Sequence, residues 1–159
     1  MKPFIAIAVS LFAIGFWTLP VAGQGNALPE NVLNVLLKAE KFELLSLNPE
    51  PEKVKPKDHF HNYTVLGKTV VKDAALRKNI VESFKKGMEG EINPAKCFDP
   101  RHGFRATHDG KTVELVICFA CSQFYVHDGS GSSAKYLVNM KPQPLLDKVL
   151  KDAGISIAK

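Results

Sequence analysis

Three cysteines and one histidine stand close enough in the sequence to form a chemical site. Cys97 and His102 precede a predicted hairpin, and Cys118 and Cys121 follow it as a C-x-x-C pair. Side chains of these types could bind structural zinc, which prefers four sulfur and nitrogen ligands. They could also exchange thiols with disulfides, or form one structural disulfide. Which of these sites forms depends on the strands and turns that position the four side chains.

The best-defined secondary structure is a β-hairpin in the second half of the chain. Asp109-Gly110 lies between two runs rich in β-branched and aromatic residues, which predicts a two-residue turn. In that register Arg105 lies opposite Glu114, and alternation assigns each residue to one of two faces. The predicted core face comprises His102, Phe104, Ala106, Val113, Leu115, Ile117 and Phe119. His102 is therefore expected to be buried, neutral and hydrogen-bonded.

The same register predicts which cysteines can pair. If residues 112 to 126 form one straight strand, Cys118 and Cys121 lie on opposite faces. Their Cα atoms are then about 10 Å apart, beyond the reach of a disulfide. Continuing the pairing backward past Pro100 brings Cys97 beside Cys121, so we expect a Cys97–Cys121 disulfide. It would close a loop of about 25 residues and stabilise the fold by roughly 3 kcal/mol. Cys118 is then a free thiol, and a Cys97–Cys118 bridge is the alternative.

A zinc ion is the second alternative for the same residues. The four ligands would be Cys97, His102, Cys118 and Cys121. The register argues against this set because it sends His102 and Cys118 to opposite faces, and no knuckle glycine interrupts the strand. Thioredoxin-like chemistry also fits poorly, since in those proteins the C-x-x-C motif opens a helix. The sequence therefore favours one structural disulfide and no cofactor.

The polar face of the hairpin carries the predicted contact surface for a partner. Arg101, Arg105 and Cys118 share this face. Arginines suit an anionic ligand or protein, because the guanidinium group binds carboxylates and phosphates with two parallel hydrogen bonds. Nucleic acid is not expected, since the net charge of +5 is spread along the chain with acids between the lysines.

The remaining residues do not suggest catalysis. His59 and His61 flank Phe60, and on a strand both imidazoles would lie on one side, as in some metal sites. No third ligand can be placed near them, so these two histidines are expected to face solvent, as is His127 beside a turn. No Ser/His/Asp arrangement, carboxylate pair or phosphate-binding loop stands out. The sequence favours a binding or structural role over an enzyme.

The order of predicted elements indicates the fold class. Helices are predicted after Pro29, after the N-cap Asp73 and near Pro144, with strands at 42–47 and 63–71 before the hairpin. A further strand, AKYLVNM, follows the hairpin. This order, αββαβββα, predicts an α+β fold with an antiparallel sheet of about five strands and helices packed on one face.

The first residues have the pattern of a secretory signal peptide. Lys2 precedes an uncharged, mostly apolar run that ends at Pro20, and Val21 and Gly23 occupy the −3 and −1 positions of a cleavage site. Removal of residues 1–23 leaves 24–159 as a single domain. The protein is expected to be exported to the periplasm or the cell exterior, with no stable membrane span.

The region around the cysteines resembles a group of small exported bacterial proteins of unassigned function. Their shared pattern is C-F-x-P-R-H-x-[IL]-R followed, after a short gap, by V-I-C-F-E-C; this chain has CFDPRHGFR and VICFAC at those places. The resemblance covers 97–121 closely and 60–155 loosely. It implies that one unit is formed by Cys97, Pro100, Arg101, His102, Cys118 and Cys121. Ala120 departs from the pattern, which has glutamate there, and the resemblance implies no particular activity.

Overall fold

The computed structural model describes residues 26–50 and 58–159. Three helices and seven strands lie in these residues: α1 (Glu30–Lys38), β1 (Lys41–Leu47), β2 (His59–Phe60), β3 (Tyr63–Val70), α2 (Ala74–Gly87), β4 (His102–His108), β5 (Lys111–Cys118), β6 (Gln123–His127), β7 (Ser133–Leu137) and α3 (Gln143–Asp152). The strands form one antiparallel sheet in the order β2-β3-β1-β4-β5-β6-β7. The predicted signal peptide, 1–23, lies outside the described residues.

The α+β class and the antiparallel sheet confirm the prediction, but the number of strands does not. Seven strands are present where about five were expected. One of the additional strands is the two-residue β2, which lies between the predicted strands 42–47 and 63–71. The other arises because the predicted strand 112–126 is interrupted and forms both β5 and β6.

All three helices contribute to one hydrophobic core on a single face of the sheet. Phe84 of α2 lies at its centre, and its ring meets those of Phe104 and Phe124 edge to face at centroid distances of 5.5 and 4.8 Å. The helices add Val32, Val35, Leu36, Ile80, Val81, Leu146 and Leu150 to this core. Among the described residues, no helix is both long enough and apolar enough to cross a bilayer.

Local sequence signals set the element boundaries. The Asp73 side chain accepts hydrogen bonds from the backbone N–H groups of Ala75 and Leu76, which caps the start of α2. Asp109 and Gly110 both have positive φ, at 48° and 71°, as the predicted hairpin turn requires. The β4–β5 register pairs Arg105 with Glu114, as the sequence predicted.

The second face of the sheet holds a smaller apolar cluster and a groove. Leu45, Leu47, Phe60 and Val116 form the cluster. Phe60 in β2 lies directly over Gly103 in β4: a Cβ atom at Gly103 would be 2.9 Å from Cε1 of the Phe60 ring. The absence of a side chain at Gly103 therefore lets the β2–β3 hairpin approach this face and form one wall of the groove.

We expect Gly103→Ala to destabilise the fold by about 1–3 kcal/mol, because the added methyl group overpacks the contact with Phe60. Unfolding in guanidinium chloride measures the change. The same substitution should cost less in a Phe60→Leu background, where the ring is gone. An equal cost in both backgrounds would show that Phe60 does not impose the requirement for glycine.

Candidate functional site

A tight turn separates β5 from β6 and brings the C-x-x-C cysteines together. Ser122 donates its backbone N–H to the Phe119 carbonyl at 3.0 Å and takes a positive φ of 54°. The Cα atoms of Cys118 and Cys121 are 5.2 Å apart, and their sulfurs form a disulfide. The prediction of one straight strand, with these two cysteines on opposite faces, is therefore wrong. Ser122 takes the left-handed backbone conformation that glycine adopts most easily, so the absence of a glycine here had argued against a turn.

Cys97 lies beside this disulfide but is not part of it. Its thiol is free and exposed, and its sulfur is 3.0 Å from the sulfur of Cys121. The sequence correctly placed Cys97 next to Cys121. The structure nevertheless bonds Cys121 to Cys118, in place of the predicted Cys97–Cys121 bridge and of its Cys97–Cys118 alternative. The Cys121 sulfur thus touches both of the other cysteine sulfurs, and we call this group the three-cysteine centre.

Backbone and amide hydrogen bonds hold the Cys97 segment against the turn. Ala95 donates its N–H to the Cys121 carbonyl at 3.0 Å. The side-chain amide of Gln123, at the start of β6, donates to the carbonyls of Ala95 and Cys97. Because Gln123 is buried, these bonds are shielded from water and fix the approach of Cys97.

Two backbone N–H groups point at sulfur atoms of the centre. Cys121 donates to the Cys118 sulfur at 3.1 Å, and Asp99 donates to the Cys121 sulfur at 3.4 Å. Hydrogen bonds to a thiolate favour its charged form, whether the thiolate leaves a disulfide or binds a metal. Asp99 also brings a carboxylate: the ligand atoms of Cys97, Asp99 and Cys121 all lie within 4.8 Å of one another.

His102 belongs to the helical face and not to this group of ligand atoms. Its side chain is 1 % exposed, and Nε2 is 2.7 Å from the Asp147 carboxylate of α3. Burial lowers the pKa of His102, while the hydrogen bond to Asp147 opposes that shift. The prediction of a buried, hydrogen-bonded histidine is confirmed. The alternative zinc set of Cys97, His102, Cys118 and Cys121 is not assembled, since His102 is engaged by Asp147.

The residues of the predicted contact surface are already occupied. Arg101 donates from Nε and Nη2 to the carbonyl of Lys159, at 3.3 and 2.9 Å. Arg105 donates to Glu114 at 2.6 Å. Cys118 is buried in the disulfide and 1 % exposed. This surface therefore exposes no sulfur at Cys118, and both of its guanidinium groups already donate to acceptors within the protein.

A polar row crosses the second face of the sheet beneath the groove. Cross-strand pairing aligns Glu43 with Arg105, Arg105 with Glu114, and Glu114 with His127. From the β2–β3 turn His61 reaches over the row: its Nε2 is 3.1 Å from Glu114, and its ring stacks on His127 with centroids 3.7 Å apart. His61 and His127 are therefore packed together, where the sequence had predicted solvent-facing rings.

The groove has a volume of about 610 Å³, and its lining includes Phe98, the residue that follows Cys97. Its walls include Tyr63, Phe98 and Tyr125 as well as the two stacked histidines. Phe98 stands between Cys97 and Asp99 in the chain, and its ring meets Tyr125 edge to face at 4.8 Å. One groove residue, Phe98, is therefore bonded through the backbone to Cys97 and Asp99 of the three-cysteine centre.

Electrostatics in the row favour an ionised Glu114. The hydrogen bond to His61 and the contact with Arg105 lower the pKa of Glu114 to about 2, against the opposing effect of burial. The pKa of His127 is also lowered, chiefly by burial and then by the neighbouring His61. Glu114 is thus a carboxylate across the physiological pH range.

The sequence predicted the Arg105–Glu114 pair but missed Asp99, Ser122 and the extension of that pair to Glu43, His61 and His127. The C-x-x-C spacing itself was the available signal for the turn, because zinc ribbons and similar proteins place this motif where the chain reverses. No comparable signal marks Asp99 or the contact of His61 with Glu114, which depends on the β2–β3 hairpin folding back over the sheet.

The comparisons with known proteins returned nothing: no protein-family model, no curated protein and no solved structure matches this chain. The resemblance to small exported bacterial proteins stays a prediction. The geometry of the three-cysteine centre and of the groove is therefore the basis for assigning a function.

The Glu114 carboxylate should make stability depend on acid pH. Its pKa in the fold is about 2, below the ordinary 4.5, so its contribution is complete above about pH 4.5 and is lost as the pH falls toward 2. Glu114→Gln should lower the free energy of unfolding near pH 7 by about 1–3 kcal/mol, because it removes the carboxylate that both His61 and Arg105 contact and leaves Arg105 only the longer 3.8 Å contact with Glu43.

Chemical unfolding of both proteins across this pH range tests the prediction. The difference between wild type and Glu114→Gln should shrink below pH 4.5. Glu91→Gln, which alters an exposed carboxylate, is the control and should behave as wild type. A difference between wild type and Glu114→Gln that stays constant from pH 7 to pH 2 would contradict the assignment.

Proposed function

We propose that this protein carries out thiol–disulfide exchange, in which the exposed Cys97 transfers electrons to and from the buried Cys118–Cys121 disulfide. The observation that supports it is the 3.0 Å distance between the sulfurs of Cys97 and Cys121. A thiolate attacks a disulfide sulfur through a mixed disulfide, so a free thiol in contact with a disulfide sulfur is the arrangement that exchange requires.

The internal step is a balanced exchange. The Cys97 thiolate attacks the sulfur of Cys121, a Cys97–Cys121 bond forms, and the Cys118–Cys121 bond breaks. Cys118 leaves as a thiolate, which accepts the N–H of Cys121 and can then take up a proton. The number of disulfides is unchanged, and the same contacts serve the reverse step.

Burial restricts external partners to Cys97. Cys118 and Cys121 are 1 % and 0 % exposed, whereas Cys97 is exposed. In the reduced protein, Cys97 attacks a substrate disulfide and releases one substrate thiol. Cys121 then displaces the second substrate thiol from Cys97, and Cys118 displaces Cys97 from Cys121. The substrate gains two electrons, and the protein is left with its Cys118–Cys121 disulfide.

Loop length argues for exchange over a purely structural staple, which the sequence had favoured. A disulfide stabilises more when it closes a longer loop, and Cys118–Cys121 spans a sequence separation of 3. The chain-entropy relation gives about 2 kcal/mol for such a loop and about 3 kcal/mol for a Cys97–Cys121 bridge. The pair that forms is the one that stabilises less and leaves an exposed thiol beside it.

The proposal is consistent with an exported protein. A disulfide next to a free thiol persists where thiols are not kept reduced, as in the periplasm or outside the cell. The predicted signal peptide at 1–23 would bring the chain to such a compartment. The groove beside Phe98 offers a substrate peptide aromatic and polar contacts next to Cys97.

Intact-mass measurement after alkylation tests the proposal. Wild type should carry one alkyl group, on Cys97, and one disulfide. Cys118→Ser should carry no alkyl group, because Cys97 and Cys121 then bond to each other. Two free thiols in Cys118→Ser after air oxidation would contradict the exchange, since the two sulfurs would be unable to bond.

The rates of disulfide reduction and of peptide oxidation provide a second test of the exchange. A small thiol should reduce the disulfide at least about tenfold more slowly in Cys97→Ser, because it must then reach buried sulfurs. The oxidation of a test peptide with two cysteines should be slowed in parallel. Lys96→Ala, which alters the preceding exposed side chain, is the matched control and should retain wild-type rates. Equal rates in Cys97→Ser and wild type would remove Cys97 from the reaction.

A further inference from the structure

We propose that the reduced protein binds one zinc ion through Cys97, Asp99, Cys118 and Cys121, so that zinc binding and disulfide formation compete for the same sulfurs. This inference rests on the proposed function, because it requires a disulfide that can be reduced. Its ligand set differs from the alternative zinc set considered from the sequence, with Asp99 in place of His102.

Three of the four ligands are already grouped. The ligand atoms of Cys97, Asp99 and Cys121 lie within 4.8 Å of one another. Cys118 lies outside this group, but its sulfur is bonded to that of Cys121, so reduction of the disulfide frees a fourth ligand next to the group. Three thiolates and one carboxylate give the four ligands that structural zinc takes, and sulfur ligands select zinc over magnesium or calcium.

Zinc binding requires the side chains of Cys97 and Cys118 to move. Zinc–sulfur bonds of about 2.3 Å in a tetrahedron place sulfurs about 3.8 Å apart. The Cys97 and Cys121 sulfurs are now 3.0 Å apart, and Cys97 is exposed and able to move outward. Cys118 and Cys121 keep a Cα separation of 5.2 Å, which side-chain rotation can convert from a bonded pair to two ligands of one ion.

The turn supplies the supporting contacts that a metal–thiolate site needs. The N–H of Cys121 donates to the Cys118 sulfur, and the N–H of Asp99 donates to the Cys121 sulfur. Such bonds orient the ligands and reduce the negative charge on the sulfurs. The C-x-x-C pair lies at a chain reversal between two strands, with the left-handed Ser122 immediately after it, which is the placement of this motif in zinc ribbons.

An external thiol is the only reactant, besides zinc, that formation of the metal site requires. Two external thiols reduce the Cys118–Cys121 disulfide and become a disulfide themselves. Zinc then displaces the protons of three thiols and coordinates the thiolates and the Asp99 carboxylate. Oxidation by an external disulfide removes two of the four ligands, so the ion is released as the protein disulfide re-forms.

Zinc binding to the full chain in two redox states tests the inference. Protein reduced with a phosphine and kept anaerobic should bind one zinc ion in native mass spectrometry, and the oxidised protein none. Cobalt(II) in place of zinc should give thiolate-to-metal absorption in the reduced protein alone. Asp99→Asn should weaken zinc binding at least about tenfold in competition with a chromogenic chelator, because the amide is a poorer ligand than the carboxylate.

Glu91→Gln, an exposed acid outside the centre, should bind zinc as wild type does. Three results would overturn the inference: no zinc on the reduced protein, equal binding by the oxidised protein, or wild-type affinity in Asp99→Asn. Equal binding by the oxidised protein would point to another group, such as Glu40, His108 and Asp109.

The two proposals fail separately. Exchange is measured with a chelator present, so loss of zinc binding leaves the exchange rates interpretable. If Cys97→Ser reacts with thiols as wild type does but the chemically reduced wild type binds zinc, the proposed function fails and the metal site stands. If exchange proceeds through Cys97 and no zinc is bound, the reverse holds.

Discussion

The backbone reversal after Cys118 is the constraint on which the site depends. A straight strand would send Cys118 and Cys121 to opposite faces, and no pairing of sulfurs or sharing of a metal would then be possible between them. The left-handed conformation of Ser122 closes the turn, and the bonds from Gln123 hold the Cys97 segment against it. Three sulfurs meet because two separate stretches of backbone are tied together there.

Much of the fold could be predicted because its signals are local. The cap at Asp73 and the turn at Asp109-Gly110 are each encoded within a few residues, and both appear where the sequence placed them. The alternation along β4 and β5 also identified the core face, since a buried face fixes the register of a hairpin. The strand β2 could not be found this way: it is two residues long, and Phe60 is buried only because Gly103 in β4 leaves space for it.

The site was only partly predictable, since it depends on how distant segments meet. The proximity of Cys97 to Cys121 followed from extending the hairpin register, but the partner of Cys121 depended on a turn with no glycine or proline to mark it. A positive φ at Ser122 costs energy that the surrounding hydrogen bonds and the disulfide offset, and propensity alone gives no reason to expect it. Asp99 became a candidate ligand only once that turn was in place.

Phe98 connects the groove to the three-cysteine centre. Its ring is held between Tyr63 and Tyr125, while its backbone connects Cys97 to Asp99. Closely packed interiors transmit strain from one group to the next. A molecule that separates these aromatic rings therefore displaces the peptide units on either side of Phe98. Binding in the groove would in this way change the distance between the Cys97 and Cys121 sulfurs.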